Sequence, residues 1–106
     1  MSIPENQPKT KSESHLRLRR NILIELYRFF KQYPYGAMEL GNLEQLCNTS
    51  AEELNWNLVY LEKCGLLELD KSPDCSPFVA CSVWITAEGI DLVENTSGFN
   101  RRFPTA

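Results

Sequence analysis

The chain has 106 residues, of which 42% are hydrophobic, and its formal net charge is −3. This length predicts one domain with a modest core. No apolar run approaches the ~20 residues that span a membrane, and residues 1–14 lack the apolar segment of a signal peptide. We therefore expect a cytoplasmic protein.

Charge is distributed unevenly along the chain. Residues 21–100 hold four basic and twelve acidic side chains, a balance of −8. Residues 9–20 carry a balance of +4, from one acidic residue, Glu13, and five basic residues: Lys9, Lys11, Arg17, Arg19 and Arg20. Because phosphate binding depends on clustered lysine and arginine, we expect any phosphate contacts to come mainly from this N-terminal segment.

The four cysteines, Cys47, Cys64, Cys75 and Cys81, include no Cys-x-x-Cys pair, and the single histidine, His15, lies far from them. Zinc sites need closely spaced ligands, so no metal is predicted. A disulfide between Cys75 and Cys81 is geometrically feasible, but cytosolic thiols stay reduced. We expect all four to be small buried or half-buried residues.

The N-terminal third predicts an arm followed by a long helix. Residues 1–13 are polar and contain two prolines, which indicates a disordered basic arm. Ser14 can cap a helix that ends near Gln32, because the residue before Pro34 avoids helical dihedrals. Its inward stripe comprises Ile22, Leu23, Leu26, Phe29, Phe30 and Tyr33, and its opposite face carries Arg17, Arg20, Ile24, Arg28 and Lys31.

Two further helices are predicted after a short extended segment at residues 36–40. The first is brief and presents Leu43, Leu46 and Cys47 on one side. The second covers residues 51–64 and begins at a capping box formed by Ser50 and Glu53. It turns Leu54, Leu58 and Leu61 inward and ends at Gly65.

The C-terminal part predicts a hairpin and a closing helix. Residues 66–70 and 79–85 have strand character, and alternation places Val79, Cys81, Val83 and Ile85 on one face. Thr86 can cap the last helix, with Ile90 and Val93 inward. The predicted domain covers residues 14–95, and residues 96–106 are expected to form a tail.

Two segments carry a resemblance to a known family: Tyr60-Leu61-Glu62-Lys63-Cys64-Gly65-Leu66-Leu67 and Ile85-Thr86-Ala87-Glu88-Gly89-Ile90. They resemble the winged helix–turn–helix domains of small bacterial and archaeal transcription regulators. The resemblance covers about half of the chain and, with the first helix, about three quarters. It implies an α+β winged helix in the order α1–β1–α2–α3–β2–β3–α4, with a three-helix core and a hairpin wing.

The resemblance implies a prokaryotic regulator that inserts its third helix into the major groove of double-stranded DNA. Asn55 could pair with an adenine edge, and Lys63 could reach a phosphate or a guanine. Glu52 and Glu53 oppose this role, although carboxylates also favour the positive end of a helix dipole. The candidate DNA contacts are Asn55, Trp56, Val59, Lys63, Lys71, Lys9, Lys11, Arg17, Arg19 and Arg20.

The alternative function is a protein-interaction module on the same scaffold, since similar domains also bind proteins. Trp56, Val59 and Tyr60 form an apolar cluster on the expected outer face of the third helix, which is typical of an interface. Ile24, Trp56, Val59 and Leu92 lie off the inward stripes of their helices, which favours a homodimer formed through the first or last helix. The candidate interface residues are Ile24, Trp56, Tyr60 and Leu92.

Catalysis has little support in the sequence. The single histidine, His15, lies at the edge of the predicted disordered arm, and the five glycines are scattered at turns instead of forming a phosphate-binding loop. We therefore predict a protein that is not an enzyme and needs no cofactor.

Overall fold

The computed structural model describes residues 11–105, with side chains from Ser14 onward. These residues form a small α+β domain in which helices pack around one three-stranded antiparallel sheet. The predicted order of elements is found, with one further helix at its end. In chain order the elements are α1 (Lys11–Gln32), β1 (Met38–Glu39), α2 (Leu40–Cys47), α3 (Ala51–Lys63), β2 (Leu67–Asp70), β3 (Ser82–Ile85), α4 (Ala87–Glu94) and α5 (Thr96–Arg102).

The first helix ends at Gln32 as predicted but begins at Lys11, three residues before Ser14. Lys, Ser and Glu are all tolerated in a first helical turn, so the polar composition of residues 11–13 did not exclude helix. Residues 1–10 of the predicted arm lie outside the described residues. None of the described helices is both long and apolar enough to cross a membrane.

The sheet has the strand order β1–β3–β2. Leu67 pairs with Ile85 and Leu69 with Val83, and these four side chains are buried on the core face. The intervening pair, Glu68 and Trp84, lies on the other face. The predicted hairpin is therefore confirmed for residues 67–70 and 82–85.

The second strand of the hairpin, β3, is shorter than predicted. It excludes Val79, which is exposed. Val79 donates its backbone N–H to Oδ1 of Asn55 at 2.8 Å instead of to a neighbouring strand. A side-chain acceptor on α3 thus replaces the strand pairing that alternation had suggested.

The ends of α3 follow the sequence signals. The Ser50 hydroxyl accepts the Glu53 backbone N–H at 3.2 Å, but the Glu53 carboxylate lies 3.4 Å from Nε2 of His15, where a full capping box would have directed it to Ser50. At the other end Gly65 has a φ of 78°, a left-handed conformation that favours glycine. Its N–H donates to Glu62 and that of Leu66 to Leu61, which completes a Schellman motif.

The core lies between the sheet, α1 and the helix pair α2–α3. Leu54, Leu58 and Leu61 of α3 are fully buried, as predicted. Two residues assigned to inward stripes are exposed, Tyr33 just after α1 and Leu46 near the end of α2. Tyr33 lies beyond the last residue of α1, so the helical period no longer fixes its direction, whereas Leu46 lies within α2 and lines an open cavity with Phe29 and Met38.

The predicted C-terminal tail is wrong, because residues 96–102 form α5. Oδ1 of Asn95 accepts the N–H of Gly98 at 3.2 Å and so caps this helix. Phe99 and Phe103 are buried in the common core, and their rings lie 6.1 Å apart. The domain therefore extends to the end of the described residues.

The expectation of four free cysteines is also wrong, because Cys75 and Cys81 form a disulfide. We call residues 71–81 the β2–β3 loop. The disulfide closes the part of this loop that runs from Cys75 to Cys81. Cys47 and Cys64 are free and half-buried.

Candidate interaction face on α3

The outer face of α3 carries a large exposed aromatic residue at its centre. The Trp56 side chain is 68% exposed and that of Tyr60 is 40% exposed. Val59 lies one turn after Trp56 and is half-buried. We call Trp56, Val59 and Tyr60 the Trp56 patch.

Charged residues frame the Trp56 patch at both ends of α3. Glu52 and Glu53 lie in the first turn and Lys63 in the last turn, and all three are exposed. This arrangement suits the helix dipole. It also gives the N-terminal end of the face a negative charge.

Asn55, predicted to read an adenine, is instead bound to the β2–β3 loop. Its Nδ2 donates to the carbonyl oxygen of Pro77 at 2.9 Å, and its Oδ1 accepts the N–H of Val79 at 2.8 Å. Both ends of the amide are therefore engaged within the chain. The contact fixes the loop against α3, beside the Trp56 patch.

Arg19 of α1, a predicted phosphate contact, crosses to α3. Its Nε donates to Oδ1 of Asn57 at 2.8 Å, and its guanidinium lies 3.7 Å from the centre of the Tyr60 ring. Asn57 is 1% exposed, and its Nδ2 donates to the carbonyl oxygen of Glu53 at 2.8 Å. The arginine thus satisfies a buried amide oxygen that would otherwise lack a hydrogen-bond donor.

Arg20 is occupied at the other end of the domain. It donates to the side-chain oxygen of Asn100 at 2.8 Å and to the carbonyl oxygen of Phe103 at 2.7 Å, and it lies over the Phe99 ring. It holds α5 against α1. Its neighbour Arg17 remains exposed.

Some of the remaining predicted DNA contacts are already engaged within the chain, and others are exposed. Nζ of Lys71 pairs with the Glu62 carboxylate at 3.0 Å, and Glu62 also accepts the N–H of Leu69 at 3.1 Å. Lys9 lies outside the described residues, and the side chain of Lys11 is not among those described. Arg17 and Lys63 are exposed, and neither forms a hydrogen bond or a ring contact with another described side chain.

Two predicted interface residues contribute little free surface. Ile24 of α1 and Leu92 of α4 are half-buried and pack against the core. Their helices are in contact, so each helix covers apolar surface on the other. The candidate interface is thereby reduced to Trp56 and Tyr60.

Sequence reasoning missed an apolar groove of about 400 Å³ at the end of α1. Aromatic side chains and a proline line it, including Phe29, Phe30, Pro34, Tyr35 and Trp84. The signals were present in Tyr33-Pro34-Tyr35 and in the strand alternation that turns Trp84 away from the core. Tyr35 itself is fully exposed.

The half-buried thiol of Cys47 offers no reactive nucleophile at neutral pH. Burial, with a smaller contribution from the Glu25 charge, raises the pKa of Cys47 to about 11. The thiolate is the reactive form of cysteine, so Cys47 remains a packing residue. Among the described residues no cluster of His, Cys, Asp and Glu side chains could hold a metal ion.

No protein-family model, curated protein or solved structure gives a significant match to this chain. Function is therefore inferred from the side chains of the α3 face and from the order of the elements.

Proposed function

We propose that this chain is a non-catalytic protein-interaction module on a winged-helix scaffold, and that its partner binds the Trp56 patch. The observation that carries the proposal is a tryptophan 68% exposed on α3, next to a tyrosine 40% exposed. Tryptophan and tyrosine are enriched among the residues that dominate binding energy at protein interfaces. An exposed tryptophan does not contribute to the packing of this domain's own core.

The order of the elements supports the scaffold. Two helices, α2 and α3, are joined by a three-residue turn and followed by the antiparallel β2–β3 hairpin. In a winged helix this arrangement leaves the second helix of the pair outward-facing and free to bind. The Trp56 patch lies on that helix.

Charge favours protein over nucleic acid as the partner. Arg19, Arg20 and Lys71 are engaged within the chain, and Asn55 is held by the β2–β3 loop. The first turn of α3 presents Glu52 and Glu53, which would repel a phosphate backbone. A complementary partner has an apolar pocket for Trp56 and basic residues opposite the two carboxylates.

A selection from a random-peptide library tests this proposal without a known partner. Phage-displayed peptides are panned on the intact chain alone, and the affinity of each retained peptide is then measured for the wild type and for Trp56→Ala. We expect retained peptides to lose at least about tenfold in affinity for Trp56→Ala, because a central aromatic residue contributes about 2 kcal/mol or more.

Glu68→Ala is the matched control, since Glu68 is exposed on the sheet face away from the core. The selected peptides should bind this variant like the wild type. The proposal fails if panning yields no binder, or if every binder is indifferent to Trp56.

DNA binding is the second candidate, and the winged-helix order of the elements together with the exposed Arg17 and Lys63 favours it. If it is correct, a random-sequence duplex should bind at ~50 mM salt and weaken steeply at ~200 mM. Arg17→Ala and Lys63→Ala should each flatten the slope of log affinity against log salt by about 0.9. Absence of any binding at the lower salt concentration rejects this candidate.

Homodimerisation stays a prediction and now depends on Trp56 and Tyr60, because Ile24 and Leu92 pack on the core. If a second copy is the partner, sedimentation equilibrium should show a dimer that Trp56→Ala converts to monomer. A wild-type monomer at high micromolar concentration rejects the homodimer.

A further inference from the structure

The β2–β3 loop is held at three points. Cys75 is joined to Cys81 by the disulfide, Asn55 binds Pro77 and Val79, and Phe78 packs against the core. These restraints hold residues 75–79 of the loop against α3.

Cys81 is itself fixed to the sheet. Its N–H donates to the carbonyl oxygen of Asp70 at 3.2 Å, and its carbonyl oxygen accepts the N–H of Leu40 at 3.1 Å. The disulfide therefore links Cys75 to a residue whose backbone is hydrogen-bonded to the sheet region. Without the bond, the hydrogen bonds of Asn55 and the packing of Phe78 alone would hold residues 75–79 in place.

We infer that the Cys75–Cys81 disulfide is a redox-sensitive restraint, and that its reduction by a cellular dithiol releases the β2–β3 loop from α3 and weakens binding at the Trp56 patch. This inference rests on the proposed function of that patch. Asn55 and Val59 are one turn apart on α3, so the docked loop borders the patch. Binding surfaces that are held in place before association bind more tightly, because less freedom is lost.

Neither cysteine of the disulfide is fully buried. Both cysteines are half-buried, and Asp74, Ser76 and Pro77 beside them are exposed. In a cytosolic protein such a bond belongs to the transient, redox-sensing class.

Reduction proceeds by thiol–disulfide exchange. A thiolate of the dithiol attacks Sγ of Cys75 and forms a mixed disulfide, while the S–S bond breaks and Cys81 leaves as a thiolate. The second thiolate of the dithiol then attacks the mixed disulfide, and Cys75 leaves. The protein gains two electrons and two protons, and the dithiol departs as its own disulfide.

Hydrogen exchange at the Val79 amide tests loop release without any partner. This amide donates to Asn55, so it is protected while the loop is docked. Adding a dithiol to the intact chain should speed its exchange at least about tenfold, because local opening becomes easier. The double variant Cys75→Ser/Cys81→Ser should show the fast rate with and without the dithiol, which separates the effect from the free thiols of Cys47 and Cys64.

The peptides selected on the Trp56 patch test regulation. Their affinity for the wild type should fall at least about threefold on reduction, since the loop no longer preorganises the face. Their affinity for the double variant should be low in both conditions. Unchanged exchange at Val79 overturns the inference, and so does faster exchange with unchanged peptide affinity. Failure to find any Trp56-dependent peptide overturns the proposed function, and this regulation with it, while the exchange rate still reports on the restraint itself.

Discussion

The guanidinium of Arg19 donates a hydrogen bond from Nε to Oδ1 of Asn57, across the contact between α1 and α3, at 2.8 Å. Asn57 is the one polar side chain that is buried among residues 14–105. A basic residue that the sequence assigned to phosphate contacts is thus part of the packing between two helices. The same contact brings the arginine over Tyr60 and so shapes the Trp56 patch.

Replacing Arg19 by alanine should destabilise the fold. Asn57 would keep a buried acceptor without a partner, and the contact with Tyr60 would be lost, for a total of about 2 kcal/mol. Urea unfolding measures the change. Arg17→Ala is the matched control, because this exposed arginine should change stability by less than about 0.5 kcal/mol. Equal effects of the two variants would contradict a structural role for Arg19.

Replacing Gly89 by alanine should cost about 3 kcal/mol, because there is no room for a Cβ atom. The added carbon would overlap the carbonyl oxygen of Leu66 and lie 2.6 Å from a side-chain carbon of Ile85. Gly41→Ala is the control, since nothing lies within 4 Å of its Cβ position. It should stabilise α2 by about 0.5 kcal/mol. Thermal unfolding of both variants checks this, and a harmless Gly89→Ala would show that α4 does not approach Leu66 so closely.

Cys47 should react slowly with a thiol reagent. Its pKa of about 11 leaves a very small thiolate fraction at pH 8. The rate of its modification, followed by peptide mapping after alkylation, should rise tenfold per pH unit until the pH approaches this pKa. Removing the nearby charge with Glu25→Gln should lower the pKa slightly. A reaction at pH 8 as fast as that of free cysteine would show that the side chain does not pack between α1 and α2.

Tyr27 links α1 to α4 by donating its hydroxyl to the Glu94 carboxylate at 2.7 Å. This hydrogen bond, then burial and the carboxylate charge, raise the pKa of Tyr27 above its ordinary value of 10.0. A raised pKa in the folded state means that this contribution to stability is full below pH ~10 and is lost as the pH rises through the folded value. Titration of the Tyr27 ζ-carbon by NMR should show the raised pKa, and Glu94→Gln should lower it. An unchanged pKa in that variant would mean that the hydrogen bond is absent in solution.

Local signals in the sequence predicted much of the fold. Ser50, Gly65 and Thr86 mark helix ends in α3 and α4, and the structure has caps or a terminator at each. Such signals act within a few residues, so they can be recognised without knowledge of the tertiary structure. The alternation around Val83 predicted the core face of β3 for the same reason.

The candidate site was harder to predict, because it depends on contacts between distant residues. Arg19 and Asn57 are 38 positions apart, and Arg20 and Phe103 are 83 apart, so no local pattern could show that these arginines are occupied. The helix α5 did carry a signal, the apolar pair Phe99 and Phe103 at a spacing of four, but its short polar sequence concealed it. The disulfide was not predicted, because the protein was expected in the cytosol, where thiols stay reduced. The spacing of Cys75 and Cys81 did allow the bond.

The most direct test of the central claim is fluorine NMR on the intact chain with both of its tryptophans replaced by 5-fluorotryptophan. Trp84→Phe assigns the two resonances. A selected peptide should shift the Trp56 resonance and leave that of Trp84 in place, and a random-sequence duplex at ~50 mM salt should move neither. A duplex that shifts the Trp56 resonance while the peptides do not would contradict the account and identify α3 as a DNA-reading helix.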